Sequence, residues 1–380
     1  MDFGVKKEQQ ELCDEIIQFS RAELNEKEDN EEFSYEKWKK ISEFGIFGLN
    51  VPEKYGGLNE SYLTSALAIE SLGYACTDNG FVFAINNHIW VALNLINLYG
   101  SNELKDRYLC DMVAGKRIGA MAITEADAGS DVYAMRTKAK ETKNGYILNG
   151  NKMFISNGTI ADVFIVFAKV EINNKDKLTA FVVDKGIPGF TIGKDIKKMG
   201  LHSCPTAEIT FNQCEIPRDH ILGCIGQGDL ILQDALEWER CFEFSSYVGA
   251  MQRVMEQSIM YANERKQFGV CISEFQAVTH KIADMKSKIE LARLMLYKIA
   301  WLKDNGKKAY NEASIFKIFV SESYIQTCRD AMQIFGAYGY TQEYGLAQEL
   351  QDALASSIHS GTNEIQKNTI YKMSLLDVLR

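Results

Sequence analysis

YILNGNKMFISNG, residues 146–158, is where the period of the chain changes. Val, Ile, Phe and Thr gather in short runs of period two, and Asn149-Gly150 and Asn157-Gly158 are turn signals. Moving outward, DVFIVFAKVE (162–171), KLTAFVVDK (177–185), GFTIGKD (189–195) and TAEITFNQCEIP (206–217) repeat this composition. Residues 119–230 are therefore expected to form a small antiparallel β domain, a barrel or a sandwich. Residues 1–118 read as helical. FSYEKWKKISEFGIFGL (33–49) places Trp38, Ile41, Phe44 and Phe47 near helical spacing, LTSALAIESLGYA (63–75) and HIWVALNLINLYG (88–100) have apolar positions three and four apart, and VPEKYGG (51–57) reads as a loop. From 231 to 380 the helical period returns. All four prolines lie between 52 and 217, as a long helical region requires, because an interior proline costs about 3 kcal/mol. Helices are expected over 274–306 and 312–336, with a third near 346–378, packed antiparallel as a four-helix bundle. The fold class is α+β: an N-terminal helical domain, a central antiparallel β domain and a C-terminal bundle.

Composition narrows the function. The net charge of −9 is spread along the chain, which argues against a nucleic-acid partner but not against small anions. The opening MDFGVKKEQQELCDEIIQ is too acidic for a transit peptide and has no unbroken apolar stretch for a signal peptide. No window reaches 18 consecutive apolar residues, so no membrane span is expected. The nine cysteines are scattered, odd in number and never form CxxC. They read as buried free thiols of a cytoplasmic protein without a metal. No GxGxxG follows a strand, and GxxxxGK[ST], HExxH and GxSxG are absent. The glycines of FGAYG (335–339) follow a helix rather than a strand.

Three short patterns could carry chemistry. TEADAGSD (124–131) offers small residues, hydroxyls and exposed backbone N–H groups at the entry to the β domain. These suit phosphate or flavin oxygens, or a simple turn. Period two puts Phe154 and Ser156 on one side of a strand, where an aromatic ring and a hydroxyl could abut a flat ring system or a β core. ERKQFG (264–269) ends a helix and offers Arg265 to an anion, or to solvent. A fourth stretch, DALEWERCFEF (234–244), carries Glu237, Glu239, Arg240 and Glu243. Glu239 and Glu243 share a helical face beside Leu236 and Phe242. They read either as solvated glutamates or, if buried, as carboxylates with a pKa raised toward that of a useful base.

Taken together, TEADAGSD, NGNKMFISNG, KKMGLHSCPTAEITF, ERKQFG, QIFGAYGYTQEY and SGTNEIQ occur in an order and at intervals that resemble the acyl-CoA dehydrogenase family over essentially the full length. The resemblance implies non-covalent FAD and a homotetramer. It also implies that Met121, Ile123, Thr124, Gly129, Ser130, Phe154 and Ser156 line the flavin. Met121 stands where many members have an aromatic residue. Arg265, Gln267, Phe268, Gln276, Gln333 and Gly336 match the part of the FAD site that a neighbouring subunit supplies, with Arg265 on the pyrophosphate. Thr362 and Glu364 fall on the segment that closes over the cofactor. The implied chemistry is removal of the α-hydrogen of an acyl thioester by a carboxylate while a β-hydride passes to the flavin.

Many members carry that carboxylate in an EGT segment. The matching text here is HSGT, and Ser360 occupies the base position, too weakly basic for the task. A minority of members supply the base from an earlier helix, just before an arginine. That position is Glu239, followed by Arg240. Glu243 is the rival base. His359, which could titrate near neutrality, lines the substrate pocket with Glu243, Ser360 and Gly361. LEWERC (236–241) with SGT downstream resembles the branch that oxidises prolyl groups on acyl or peptidyl carrier proteins in pyrrole- and anatoxin-type biosynthesis. That likeness implies a phosphopantetheine-bound substrate and O2 or an electron-transfer flavoprotein as acceptor. The competing reading is an acyl-CoA enzyme of the isovaleryl-CoA or other short, branched type.

Overall fold

The structure is a computed structural model that describes residues 4–25 and 32–379. Six helices come first: α1 (Lys7–Glu23), α2 (Tyr35–Phe44), α3 (Tyr62–Ala75), α4 (Asn79–His88), α5 (Asn94–Tyr99) and α6 (Asn102–Val113). Polar caps set several of their starts. Ser34, Ser61, Asp78 and Ser101 each accept a backbone N–H of the first turn. The apolar spacing Trp38–Ile41–Phe44–Phe47 does not lie on one helix. Gly45 adopts φ +95°, α2 stops at Phe44, and Phe47 reaches the same core from a 3-10 turn. Between α4 and α5, Ile89–Leu93 form one π-helical turn. The segment Asn79–Tyr99 is long and apolar enough to cross a membrane by length and composition, yet 89% of its most apolar window is buried inside the protein. It is the central core element of this part of the molecule.

The strands are β1 (Gly119–Ala122), β2 (Lys138–Glu141), β3 (Gly145–Ser156), β4 (Val163–Ile172), β5 (Lys175–Asp184), β6 (Phe190–Ile192), β7 (Thr206–Pro217) and β8 (Ile221–Leu222). They form one sheet in the order β6-β7-β3-β2-β4-β5-β8, with β1 added to β4. The sheet is mixed rather than purely antiparallel: β1 and β2 both run parallel to β4. β4 and β5 are buried on both faces, which explains their near-continuous apolar sequence. Val163, Ile165, Phe167, Ala180 and Val182 join the helical core, while Phe164, Val166, Phe181 and Val183 pack inside the sheet.

The last part holds α7 (Gly228–Trp238), α8 (Ser245–Glu264), a two-stranded hairpin of β9 (Lys266–Gln267) and β10 (Val270–Cys271), α9 (Gln276–Asp304), α10 (Tyr310–Phe335), α11 (Leu346–Ala355) and α12 (Asn363–Leu379). α8, α9 and α10 pack on one another, and α12 packs on α10. The single helix expected near 346–378 is two helices. Ser360 and Gly361, at φ +58° and +82°, break it and send the chain back toward α7. α8 also lies against α3 at glycine contacts. A Cβ on Gly73 would sit 2.1 Å from the Ser246 carbonyl oxygen, and one on Gly249 would sit 2.0 Å from that of Glu70. This close crossing fixes where α8 begins.

Candidate active site

α7 does not run straight into α8. Glu239–Glu243 form a second π-helical turn, and all five residues are buried. It packs against the first π turn, with the Trp90 ring stacked on Phe242 at 4.7 Å. Such turns widen a helix locally and re-aim its side chains. The turn places Glu239 and Glu243 beside His359, which comes from the break between α11 and α12. The three residues offer oxygen and nitrogen atoms that all lie within 4.8 Å of one another. Arg240 brings positive charge to Glu239, and Lys317 brings it to both carboxylates. Glu237, by contrast, is tied elsewhere. Its carboxylate pairs with Lys303 at 2.6 Å and accepts the Ala309 N–H.

Burial raises the Glu239 carboxyl above its ordinary range, while the Ser360 hydroxyl and the Arg240 and Lys317 charges restrain the rise. Arg240 Nε donates to the Ser360 carbonyl oxygen at 2.8 Å, clamping the 360–361 turn against the π turn. Gly361 leaves room for that guanidinium, since a Cβ there would meet Arg240 Nη2 at 3.2 Å. Glu243 is raised well above its ordinary value, first by burial and then by the neighbouring Glu239. Neither of its oxygens has a hydrogen-bond partner. His359 Nδ1 lies 3.2 Å from Glu243 Oε1, close enough for an electrostatic contact but without hydrogen-bond alignment. His359 Nδ1 is also 2.9 Å from Ser360 Oγ, and its Nε2 is 3.0 Å from the Tyr247 hydroxyl. Burial drives this imidazole down to about 3, so it is neutral at physiological pH rather than titrating near 7.

Lys317, on α10, was not singled out by the sequence reading. It is fully buried, donates to Asn363 Oδ1 at 2.8 Å and is lowered to about 8 by burial and then by Arg240. Its only sequence signal is a lone lysine inside the apolar run ASIFKIFV. Tyr247 was missed as well, since a tyrosine in the first turn of α8 reads as an ordinary core residue.

A second group of expected residues meets at the end of β3. Met153 N donates to the Thr124 carbonyl oxygen at 2.8 Å. Buried Lys152 reaches Ile123 O at 2.8 Å and Glu125 Oε1 at 2.9 Å. The TEADAGSD loop and the strand are thereby locked together, bringing Met121, Ile123 and Thr124 alongside Phe154 and Ser156. A β-bulge between Lys152 and Ile155, not simple alternation, turns Phe154 outward at φ +58°. Its ring is 60% exposed, Ser130 is exposed, and a Cβ on Gly129 would meet nothing within 4 Å. An open aromatic face next to accessible backbone N–H groups fits a flat, anionic cofactor. The third group sits on the bundle. Arg265, Gln267, Phe268, Gln276, Gln333 and Gly336 are all exposed, Phe268 at 94%, and Arg265 lies 5.8 Å from the Tyr338 ring centre. Thr362 caps α12 through a 3.4 Å contact to Ile365 N, and Glu364 is exposed beside it.

Residues 6–116, 120–214 and 226–375 match the N-terminal, middle and C-terminal domains of acyl-CoA dehydrogenase. The chain is 39% identical to an L-prolyl-[peptidyl-carrier protein] dehydrogenase of Serratia sp., over 97% of each chain. It is similar to the crystal structure of the prolyl acyl carrier protein oxidase AnaB, with a TM-score of 0.95 and 41% identity over 98% of this chain and 100% of that one. It is also similar to the structure described as PigA with FAD and proline, with a TM-score of 0.95 and 38% identity over 99% and 100% of the two chains. The chain belongs to the acyl-CoA dehydrogenase family and is an FAD-dependent dehydrogenase or oxidase of acyl thioesters.

Proposed function

We propose that the enzyme oxidises a prolyl group held as a thioester on the phosphopantetheine arm of an acyl or peptidyl carrier protein, releasing a pyrroline-carboxyl thioester, with Glu239 as the base. The observation that carries this reading is the polar lining around Glu239. Glu243, His359 and Tyr247 would gain nothing from a purely alkyl acyl group, whereas a ring nitrogen can use them. The names of the similar proteins point the same way.

In this mechanism Glu239 takes the proton from the α-carbon. Burial lifts its pKa toward the working pH, as a general base requires. Arg240 positions the base by anchoring the Ser360–Gly361 turn over it. FAD, when bound, would supply the acceptor for the hydride lost from the β-carbon. Met121, Ile123, Thr124, Gly129, Ser130, Phe154 and Ser156 would hold its ring system, and Thr362 and Glu364 would close over it. Arg265, Gln267, Phe268, Gln276, Gln333 and Gly336 would complete the site of a neighbouring copy in a cytoplasmic homotetramer. Electrons would pass on to O2 or to an electron-transfer flavoprotein.

Anaerobic titration of the holoenzyme tests the reading. Prolyl-loaded carrier protein should bleach the flavin and lose two hydrogens by mass, and Glu239→Gln should retain FAD without being reduced. Bleaching by isovaleryl-CoA but not by the prolyl thioester would replace the prolyl reading with the acyl-CoA one.

A further inference from the structure

We infer that Glu243 is the counter-ion of the substrate's α-nitrogen, so that this one carboxylate makes the enzyme select an α-amino acyl thioester over a carbon-only acyl thioester. The inference rests on the prolyl reading above and gives it a specificity-determining residue.

Four other buried glutamates each have a cation, and Glu239, which has no ion pair, has Ser360 as a hydrogen-bond partner. Glu237 pairs with Lys303, Glu349 with Arg253, Glu125 with Lys152 and Glu70 with Arg293. Among the described residues, Glu243 is the carboxylate with both oxygens buried and unpartnered. A group left in that condition costs stability unless a ligand completes it. Among the described residues, no lysine or arginine forms an ion pair with Glu243, and Lys317 acts on it only through its charge. His359 is neutral, with Nε2 engaged by Tyr247 and Nδ1 by Ser360. Lys317 is held by Asn363, and Arg240 is directed to Ser360.

The geometry suits a substrate with nitrogen on the α-carbon. That nitrogen lies about 1.5 Å from the carbon whose hydrogen the base removes. A carboxylate contacting the hydrogen and one contacting the nitrogen must therefore stand a few ångströms apart. Glu239 and Glu243 do so, with carboxylate oxygens within 4.8 Å. A secondary ammonium brings one positive charge and two N–H donors. It neutralises the repulsion between the two carboxylates, and its charge next to the α-carbon makes the α-hydrogen more acidic. A carbon ring of the same size would leave Glu243 unpaired, and sites built to bond a polar substrate group reject analogues that lack it.

The test compares L-prolyl and cyclopentanecarbonyl groups on the same carrier protein, the second being the ring without nitrogen, by anaerobic flavin reduction of the FAD-loaded enzyme. The wild type should favour prolyl by at least about a hundredfold in kcat/KM, the scale of a buried charge pair. Glu243→Gln should collapse that ratio while keeping FAD bound. Equal loss on both substrates, or an unchanged ratio, would overturn the inference. If the variant does not hold FAD, the wild-type ratio decides alone, and equal rates on the two rings overturn it. A wild-type flavin that the prolyl thioester leaves oxidised refutes the prolyl reading and the inference with it. A flavin that is reduced by prolyl thioester with no preference over the carbon ring refutes the inference only.

Discussion

Lys152→Met should loosen the join between the TEADAGSD loop and β3. The ammonium has no exposed surface, bonds Ile123 O and Glu125 Oε1, and lies 3.7 Å from Met135 Sδ. The two partners report differently on the pair. Burial lowers Lys152 to about 8 despite the attraction of Glu125. Burial also acts to raise Glu125, but the backbone N–H of Arg136, the Thr137 contact and Lys152 together hold it below its ordinary value. Both groups are desolvated, and the backbone donors help to hold the carboxylate in its charged form. Breaking a buried pair costs about 3–5 kcal/mol when the survivor is stranded. Here each Glu125 oxygen keeps a backbone N–H, at 2.6 and 3.0 Å, so the cost should be nearer 2–3 kcal/mol, with part recovered in Lys152→Met/Glu125→Gln. The same change should weaken FAD binding about tenfold or more, because the proposed ring-binding residues Thr124 and Phe154 sit on the two segments it ties. Urea unfolding of the apoprotein and a flavin-fluorescence titration measure the two effects. Stability within about 0.5 kcal/mol of wild type together with unchanged FAD affinity would refute the reasoning.

Gly249→Ala should destabilise by about 2–3 kcal/mol, since its methyl would need the space of the Glu70 carbonyl and must push α3 from α8; thermal unfolding reports it. His88 accepts from Gly119 N and contacts Met112 O, and burial lowers it to about 4. Its depressed folded pKa means stability present above about 6.5 is lost as pH falls through 4, by up to about 3 kcal/mol, and the lowered His359 adds to the same trend. A pH series of urea unfolding should therefore be flatter in His88→Gln, whose amide can make both bonds. Arg240→Lys removes the Nε bond to Ser360 O and should slow flavin reduction about ten- to hundredfold at unchanged FAD content, read by stopped flow.

Period and composition located the helices and strands because both follow from which faces are buried. β4 reads as an apolar run because two cores claim it, and α9 and α10 match the periodic stretches closely. Local exceptions were less legible. Gly45 and the Ser360–Gly361 pair interrupt apolar patterns that continue across them, since the core rewards spacing in space and not in sequence. The parallel placement of β1 beside β4 depends on contacts far apart in the chain. In the site, Glu239 and Glu243 could be read from spacing, but not their burial. Lys317 was invisible because a single lysine among Ile and Phe looks like a helix edge until α12 covers it.

The π turn at 239–243 also keeps count. It is one residue longer than the α-helical turn it replaces, and because the wide turn absorbs that surplus locally, α8 leaves it in the same rotational phase as an unbroken helix would. Deleting one of its residues would therefore close the turn to regular α form while Gly249 stayed in the crossing with α3 and Tyr247 stayed near His359. What would be lost is the turn's own side-chain arrangement, which brings Glu239 and Glu243 within reach of His359. The irregularity serves the chemistry and not the packing, so the chain could shed it and keep its fold.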